Sequence, residues 1–206
     1  MGLAERQRVI ALLSTDHALR ERFRLDPRGA THALGLSIAD GRALENLDFE
    51  SIDGFGRSLW LKRRSEVENL LPLTILALGP RRWRDCFHDH AAHYQPAGVH
   101  KPLDDALAFV SWLGNSANHP TDEDGNRSRA PGWLVELSRF EAGFLRCRNR
   151  RLRCERFHYR VDQIAQALAR GDQPTAQRLE PSSWPMWVFW VRLTRSRSPC
   201  VWILPR

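Results

Sequence analysis

The spacing of apolar residues changes once along this 206-residue chain, and that change constrains its fold most. Up to about residue 146, apolar residues recur every three or four positions, as in GWLVELSRFEAGFL. After that point CERFHYRV alternates aromatic with polar residues, and WPMWVFWVRL and CVWILP are rich in aromatic and β-branched residues. The sequence therefore predicts an α+β fold: a helical N-terminal domain, then a small antiparallel β-sheet module with one short helix, DQIAQALARGD.

Capping and breaking residues divide the helical part. Thr15 or Asp16 can cap HALRERFRL, and Ser37 can cap IADGRALENL. Gly79 predicts a helix stop and Pro80 the start of the next helix. The polar stretch NSANHPTDEDGNRSRAPG reads as a loop or linker. We predict a helical domain over residues 1–146 and a small β-rich module over 147–206.

The aromatic run WPMWVFWVRL has two apolar faces if it is a strand. A helix is the alternative, but Pro185 and the neighbouring aromatic and β-branched residues favour the strand. We expect residues 186–193 to pair antiparallel with 200–205. Three alternate residues are predicted to pack on the helical domain, and three residues of the preceding strand to join the sheet: Trp187, Phe189 and Val191, and Phe157, Tyr159 and Val161.

Positive charge is concentrated in the C-terminal third. The chain has a formal net charge of +7, and residues 139–206 contain fourteen arginines and no lysine against five acidic residues. Such a segment favours an anionic partner, and arginine favours forked recognition of carboxylates or phosphates.

Residues able to perform chemistry are sparse. Cys86, His90 and His93 would share one helix face and are competent metal ligands, yet no HExxH pattern or second ligand group accompanies them. Serine-nucleophile motifs, glycine-rich phosphate loops and paired carboxylates are absent from the sequence. We expect no catalysis and no bound metal in this chain, with a metal-binding enzyme as a further hypothesis.

The location of the chain is inferred from its N-terminal pattern and its cysteines. MGLAERQRVIALLS is amphipathic rather than like a signal peptide, and the four cysteines form no CxxC pair. The sequence therefore predicts a cytoplasmic protein without a membrane partner.

A longer stretch resembles a known family. The segment from FGRSLWLKRRSEVENLLPLTILALG through HDHAAHYQPAGVHKPLDDALAFVSWL, followed by PGWLVELSRFEAGFL, resembles TglI-type accessory subunits over residues 50–146. These are related to MbnC and HvfC-like partners of TIM-barrel multinuclear iron enzymes in RiPP biosynthesis. The resemblance implies a non-catalytic subunit that forms a heterodimer with an iron oxygenase. The iron would be in the partner, and this subunit would present the precursor peptide's cysteine, as in 3-thiaglutamate biosynthesis.

The resemblance also implies that the helical domain, residues 1–146, docks the partner enzyme. It further implies that the C-terminal module, residues 147–206, recognises the leader peptide, which would add a strand to its sheet. The residues predicted to contact the peptide are three arginines for its acidic side chains and three residues of the aromatic run: Arg153, Arg156 and Arg160, and Val188, Trp190 and Arg192. The alternative is a DNA-binding regulator that uses RCRNRRLRCER. The sequence offers no evident recognition helix, so nucleic acid is not the expected partner.

Overall fold

The computed structural model describes residues 3–45, 48–97, 99–118, 130–147, 152–172, 179–192 and 199–204. The chain forms two compact units, Met1–Glu66 and Val67–Arg206. Within the described residues, no helix combines the length and the apolar character that crossing a membrane requires.

The first unit is helical. It contains α1 (Leu3–Thr15), α2 (His17–Leu25), α3 (Pro27–Ala33), α4 (Ile38–Glu45) and the first part of α5 (Phe49–Leu70). Its core includes Val9, Leu13, Leu19, Phe23 and Leu44. These residues recur at helical spacing within their own helices, so burying them joins the short helices into one unit.

Short polar side chains start these helices where the sequence indicated. Asp16 Oδ1 accepts the Leu19 N–H at 2.9 Å, so Asp16 rather than Thr15 caps α2. Ser37 Oγ accepts the Asp40 N–H at 3.2 Å, in the first turn of α4. Each bond satisfies an N–H that the helix itself leaves without an acceptor.

The second unit combines helices with a sheet. It contains α6 (Pro72–His93), α7 (Lys101–Asn118), α8 (Gly132–Cys147) and α9 (Val161–Ala169). Within α6, Gly79 has φ +73° and ψ 163°, which breaks the helix immediately before Pro80. The predicted glycine stop and proline start are therefore confirmed, because glycine adopts positive φ at little cost.

The sheet consists of β1 (Leu152–Phe157), β2 (Met186–Val191) and β3 (Cys200–Leu204), with β2 in the centre and both pairings antiparallel. The predicted α+β class is confirmed: a helical part is followed by a small antiparallel sheet with one short helix, α9. Pairing of the aromatic run with the last strand is also as predicted. Leu193 and Pro205 lie outside the described residues.

The first strand ends earlier than predicted. Phe157 is in the sheet, but Tyr159 is not, and Val161 begins α9. The reason is Glu136 of α8, whose Oε2 accepts the backbone N–H groups of His158 and Tyr159 at 2.7 and 2.9 Å. Donors bound to a helix side chain cannot continue a strand ladder, so the chain turns there.

The inward face of β2 was predicted wrongly. Met186, Val188 and Trp190 are buried beneath the sheet, while Trp187 is 45% exposed. Gly143 of α8 decides the orientation, because a Cβ at that position would lie 2.3 Å from the Trp190 ring. Trp190 packs there among three phenylalanine rings, with centroid distances of 5.9 to 6.3 Å: Phe140, Phe144 and Phe157.

The sheet belongs to the same compact unit as α6, α7 and α8. The Cys147 thiol, at the end of α8, donates to the Trp190 carbonyl oxygen at 3.5 Å. The predicted boundary between a helical domain that docks the enzyme, residues 1–146, and a β-rich module that recognises the peptide, residues 147–206, stays a prediction.

Candidate functional site

The outer face of the sheet, opposite α8, carries three rows of side chains. The register places Arg156, Trp187 and Leu204 in one row, Cys154, Phe189 and Trp202 in the next, and Leu152, Val191 and Cys200 in the third. We call these nine residues the outer face. All but Arg156 are apolar or thiol side chains, and Trp202 and Leu204 are 67% and 58% exposed. Clustered exposed apolar side chains of this kind are typical of interaction surfaces.

The outer face is apolar because β2 alternates large apolar residues on both of its sides. Period-2 alternation sends Trp187 and Phe189 outward once Val188 and Trp190 are buried. As far as the structure describes the chain, its helices cover only the inner side of the sheet, so the apolar residues of the outer face remain at the surface. A sheet with two apolar faces requires two covers, and the described residues supply one.

Strand β3 is an edge of the sheet, since it pairs only with β2 among the described residues. It contains no charged residue and no proline between Cys200 and Leu204. A concave surface that encloses a volume of about 700 Å³ lies along this edge. It is lined by Phe189, Val191 and the residues of β3. Proteins usually block edge strands with charges, prolines or a covering segment. This edge is therefore suited to pairing with another extended chain.

The six residues predicted to contact a peptide do not share one surface. Val188 and Trp190 have no exposed surface. Neither side chain is therefore accessible to a bound peptide, and the prediction that they contact it is corrected. Their neighbours Trp187, Phe189 and Val191 form the accessible side of β2 instead.

The four predicted arginines are also separated. Arg156 is exposed on the outer face, whereas Arg153 is half-buried on the inner side of β1. Arg160 precedes α9 and donates to Asp162 at 3.2 and 3.0 Å, and this pairing raises the pKa of Arg160. Arg192 follows β2 and is half-buried.

Trp202 and Leu204 are the main residues that sequence reasoning missed. The strand pattern gives no sign of which face is outward, because both faces are apolar. One signal was present elsewhere: Gly143 interrupts the aromatic helix segment between Phe140 and Phe144. A glycine inside such a helix indicates the close approach of a large neighbour.

The histidine cluster of α6 divides between core and surface. His90 is buried, and its Nε2 lies 2.9 Å from Asp105 Oδ1. His93 is exposed, with its Nδ1 2.8 Å from the Asp89 carbonyl oxygen. Burial raises the pKa of the Cys86 thiol. In the part of the chain that the structure describes, no three His, Cys, Asp or Glu residues are grouped to hold a metal ion. The expectation that this chain binds no metal stays a prediction.

Glu141 of α8 joins two helices. Its carboxylate accepts the N–H groups of Leu73 and Thr74 at 2.8 and 2.6 Å, at the start of α6. Burial raises the pKa of this carboxyl group, and its hydrogen bonds from Thr74 and Leu73 oppose that rise. The partners of Glu141 are groups that the helix leaves unsatisfied, so this carboxylate has a structural role.

A family model matches part of the chain. Residues 34–115 match the family model described as SCO6045-like, C-terminal domain. This segment extends from the end of α3 into α7, which is less than half of the chain. No curated protein and no solved structure matches the chain.

Proposed function

We propose that this chain is the non-catalytic partner subunit of an iron-dependent TIM-barrel peptide-modifying oxygenase. In this role it binds the leader segment of the precursor peptide and presents the peptide's cysteine to the enzyme. The chain itself holds no cofactor, and the iron belongs to the partner. The complex is a cytoplasmic heterodimer of the type found in 3-thiaglutamate biosynthesis.

The observation that carries the proposal is the open apolar sheet. The outer face presents Trp187, Phe189 and Trp202 beside the unblocked edge of β3. An extended peptide that pairs with an edge strand gains main-chain hydrogen bonds, and its alternate side chains fill surface pockets. The concave surface along β3 is suited to those side chains.

Charge favours an acidic peptide over nucleic acid. Arg139 and Arg153 bind the carboxylate of Glu155, and Arg160 binds Asp162. These three arginines therefore already have carboxylate partners within the fold. A DNA-binding surface would instead require several arginines directed together at a phosphate backbone.

The role of the helical part rests on its resemblance to TglI-type accessory subunits over residues 50–146. We assign docking of the barrel enzyme to the helical part and recognition of the peptide to the sheet.

The experiment that tests this function is co-expression of the chain with a barrel oxygenase encoded beside it. We expect the two proteins to co-purify as a stable complex at about 0.15 M salt, with iron present only in the enzyme. The purified chain is also applied to duplex DNA at the same salt, where nonspecific phosphate contacts weaken steeply. Retention on DNA without co-purification would overturn the proposal and favour the DNA-binding regulator.

A further inference from the structure

A cluster of arginines lies between α8 and the inner side of β1. Arg139 donates from Nε and Nη2 to Glu155 Oε1 at 3.0 and 2.8 Å. Arg153 Nη2 donates to Glu155 Oε2 at 3.3 Å. Arg146 is half-buried and interacts electrostatically with all three of these residues. We call these four residues the arginine cluster, in which two of the three arginines bind the one carboxylate.

Helix and strand geometry brings the four side chains together. Arg139 and Arg146 are seven residues apart on α8 and therefore lie on the same side of the helix. Arg153 and Glu155 are two residues apart on β1 and therefore share the inner face of the sheet. The residues that join these elements, Arg148 to Arg151, include no carboxylate. The connection therefore adds no acidic side chain to offset the excess positive charge.

Two members of the arginine cluster have unmet capacity to bind an anion. Arg153 Nε is buried and has no acceptor among the described residues. Within the same residues Arg146 makes no ion pair, and burial, followed by repulsion from Arg153, lowers its pKa. An arginine remains charged at neutral pH despite such a shift. A half-buried cation without an acceptor is costly, and an oxyanion would relieve that cost.

We propose that the arginine cluster is a binding site for a second carboxylate beside Glu155, supplied by an acidic side chain of a bound peptide. Arg146 provides the main contact, and Arg139 and Arg153 add positive charge beside it while they keep their bonds to Glu155. Arg139 and Arg153 remain 36% and 27% exposed, so the site is open to solvent. A phosphate is also an oxyanion that arginines bind, and the experiment distinguishes binding of a phosphate from binding of a peptide carboxylate. The peptide assignment rests on the proposed function, whereas the anion site itself does not.

The test compares two capped peptides, one with two glutamates and one with glutamines in their place. We measure binding of each to the full chain and to Arg146→Gln at about 0.15 M salt. The native chain is expected to bind the glutamate peptide at least about tenfold more tightly than the glutamine peptide, because charge-assisted hydrogen bonds of arginine are strong. Arg146→Gln should abolish that preference. Arg146→Lys, which keeps the charge but loses the planar fork, should retain only part of it.

Arg170→Gln is the matched control. Arg170 is exposed after α9 and lies outside the arginine cluster, so this variant removes the same charge and should keep the full glutamate preference. An equal loss in both glutamine variants would overturn the site, because the preference would then come from net charge alone.

A second arm uses acetate and inorganic phosphate while the arginine Nε–H signals are followed by NMR. We expect both anions to shift the Arg146 and Arg153 signals, and the Arg153 response to weaken in Arg146→Gln. Phosphate binding without a glutamate preference would overturn the peptide assignment. The absence of any anion response would overturn the site itself. Either failure leaves co-purification with the barrel enzyme unaffected, so it is distinguishable from failure of the proposed function.

Discussion

Gly143 determines which side of the sheet faces the helices. The ring of Trp190 occupies the space where any larger residue would place its Cβ, at about 2.3 Å from Cε2 and Cζ2. Alanine at this position would gain helix propensity but would displace the largest fully buried side chain. The orientation of β2, and with it the outer face, therefore depends on one missing methyl group.

We predict that Gly143→Ala destabilises the chain by about 1 to 3 kcal/mol, the usual cost of overpacking. The free energy of unfolding is measured in urea by circular dichroism. Gly114→Ala in α7 is the control, because its Cβ would lie 3.6 Å from Val135 Cγ1, an ordinary contact. The control should be neutral or stabilising by up to about 1 kcal/mol. Equal stability of the two variants would contradict the packing described for Trp190.

Local signals were reliable at the scale of single residues. Asp16, Ser37, Gly79 and Pro80 act at the helix ends where the sequence placed them, because capping and breaking depend on neighbours along the chain. The inward set of β2 was not predictable in the same way. It depends on Gly143, which is distant in sequence and belongs to another element.

At the scale of elements, β2 and β3 have different roles. Strand β2 is paired on both sides and anchors the sheet through Val188 and Trp190. Strand β3 has no second partner strand within the described part of the chain, and an exposed tryptophan lies at its centre. We therefore propose β3 as the strand that would pair with a peptide, although the sequence alone directed attention to the longer aromatic run of β2.

Trp202→Ser should weaken leader-peptide binding at least about tenfold, because an exposed aromatic anchor often dominates such an interface. Its side chain is 67% exposed, so the free energy of unfolding should change by only about 0.5 kcal/mol. Peptide affinity is measured by fluorescence anisotropy with a labelled leader peptide.

Trp184→Ser is the matched control for that measurement. Trp184 is 68% exposed and lies in the segment before β2, outside the concave surface of β3. We expect it to bind the leader within about twofold of the native chain. Similar losses in both variants would show that binding does not depend on the β3 edge.

At the scale of the whole molecule, the change from helical to alternating spacing was sufficient to predict the α+β class. It was not sufficient to locate the end of β1, because the Glu136 carboxylate that terminates the strand comes from α8. The arginine cluster was likewise not predictable, since the pairing of Arg139 with Glu155 depends on how α8 packs against the sheet. Both features arise from tertiary contacts that no local pattern contains.

The most direct test of the central claim is reconstitution of the peptide-modifying reaction. The barrel oxygenase, loaded with iron, is incubated with its precursor peptide in the presence or absence of this chain, and products are followed by mass spectrometry. We predict that the cysteine of the peptide is modified efficiently only when both proteins are present, and that Trp202→Ser lowers the rate at limiting peptide concentration. Full modification by the oxygenase alone, or any modification by this chain alone, would contradict a non-catalytic subunit that presents the peptide.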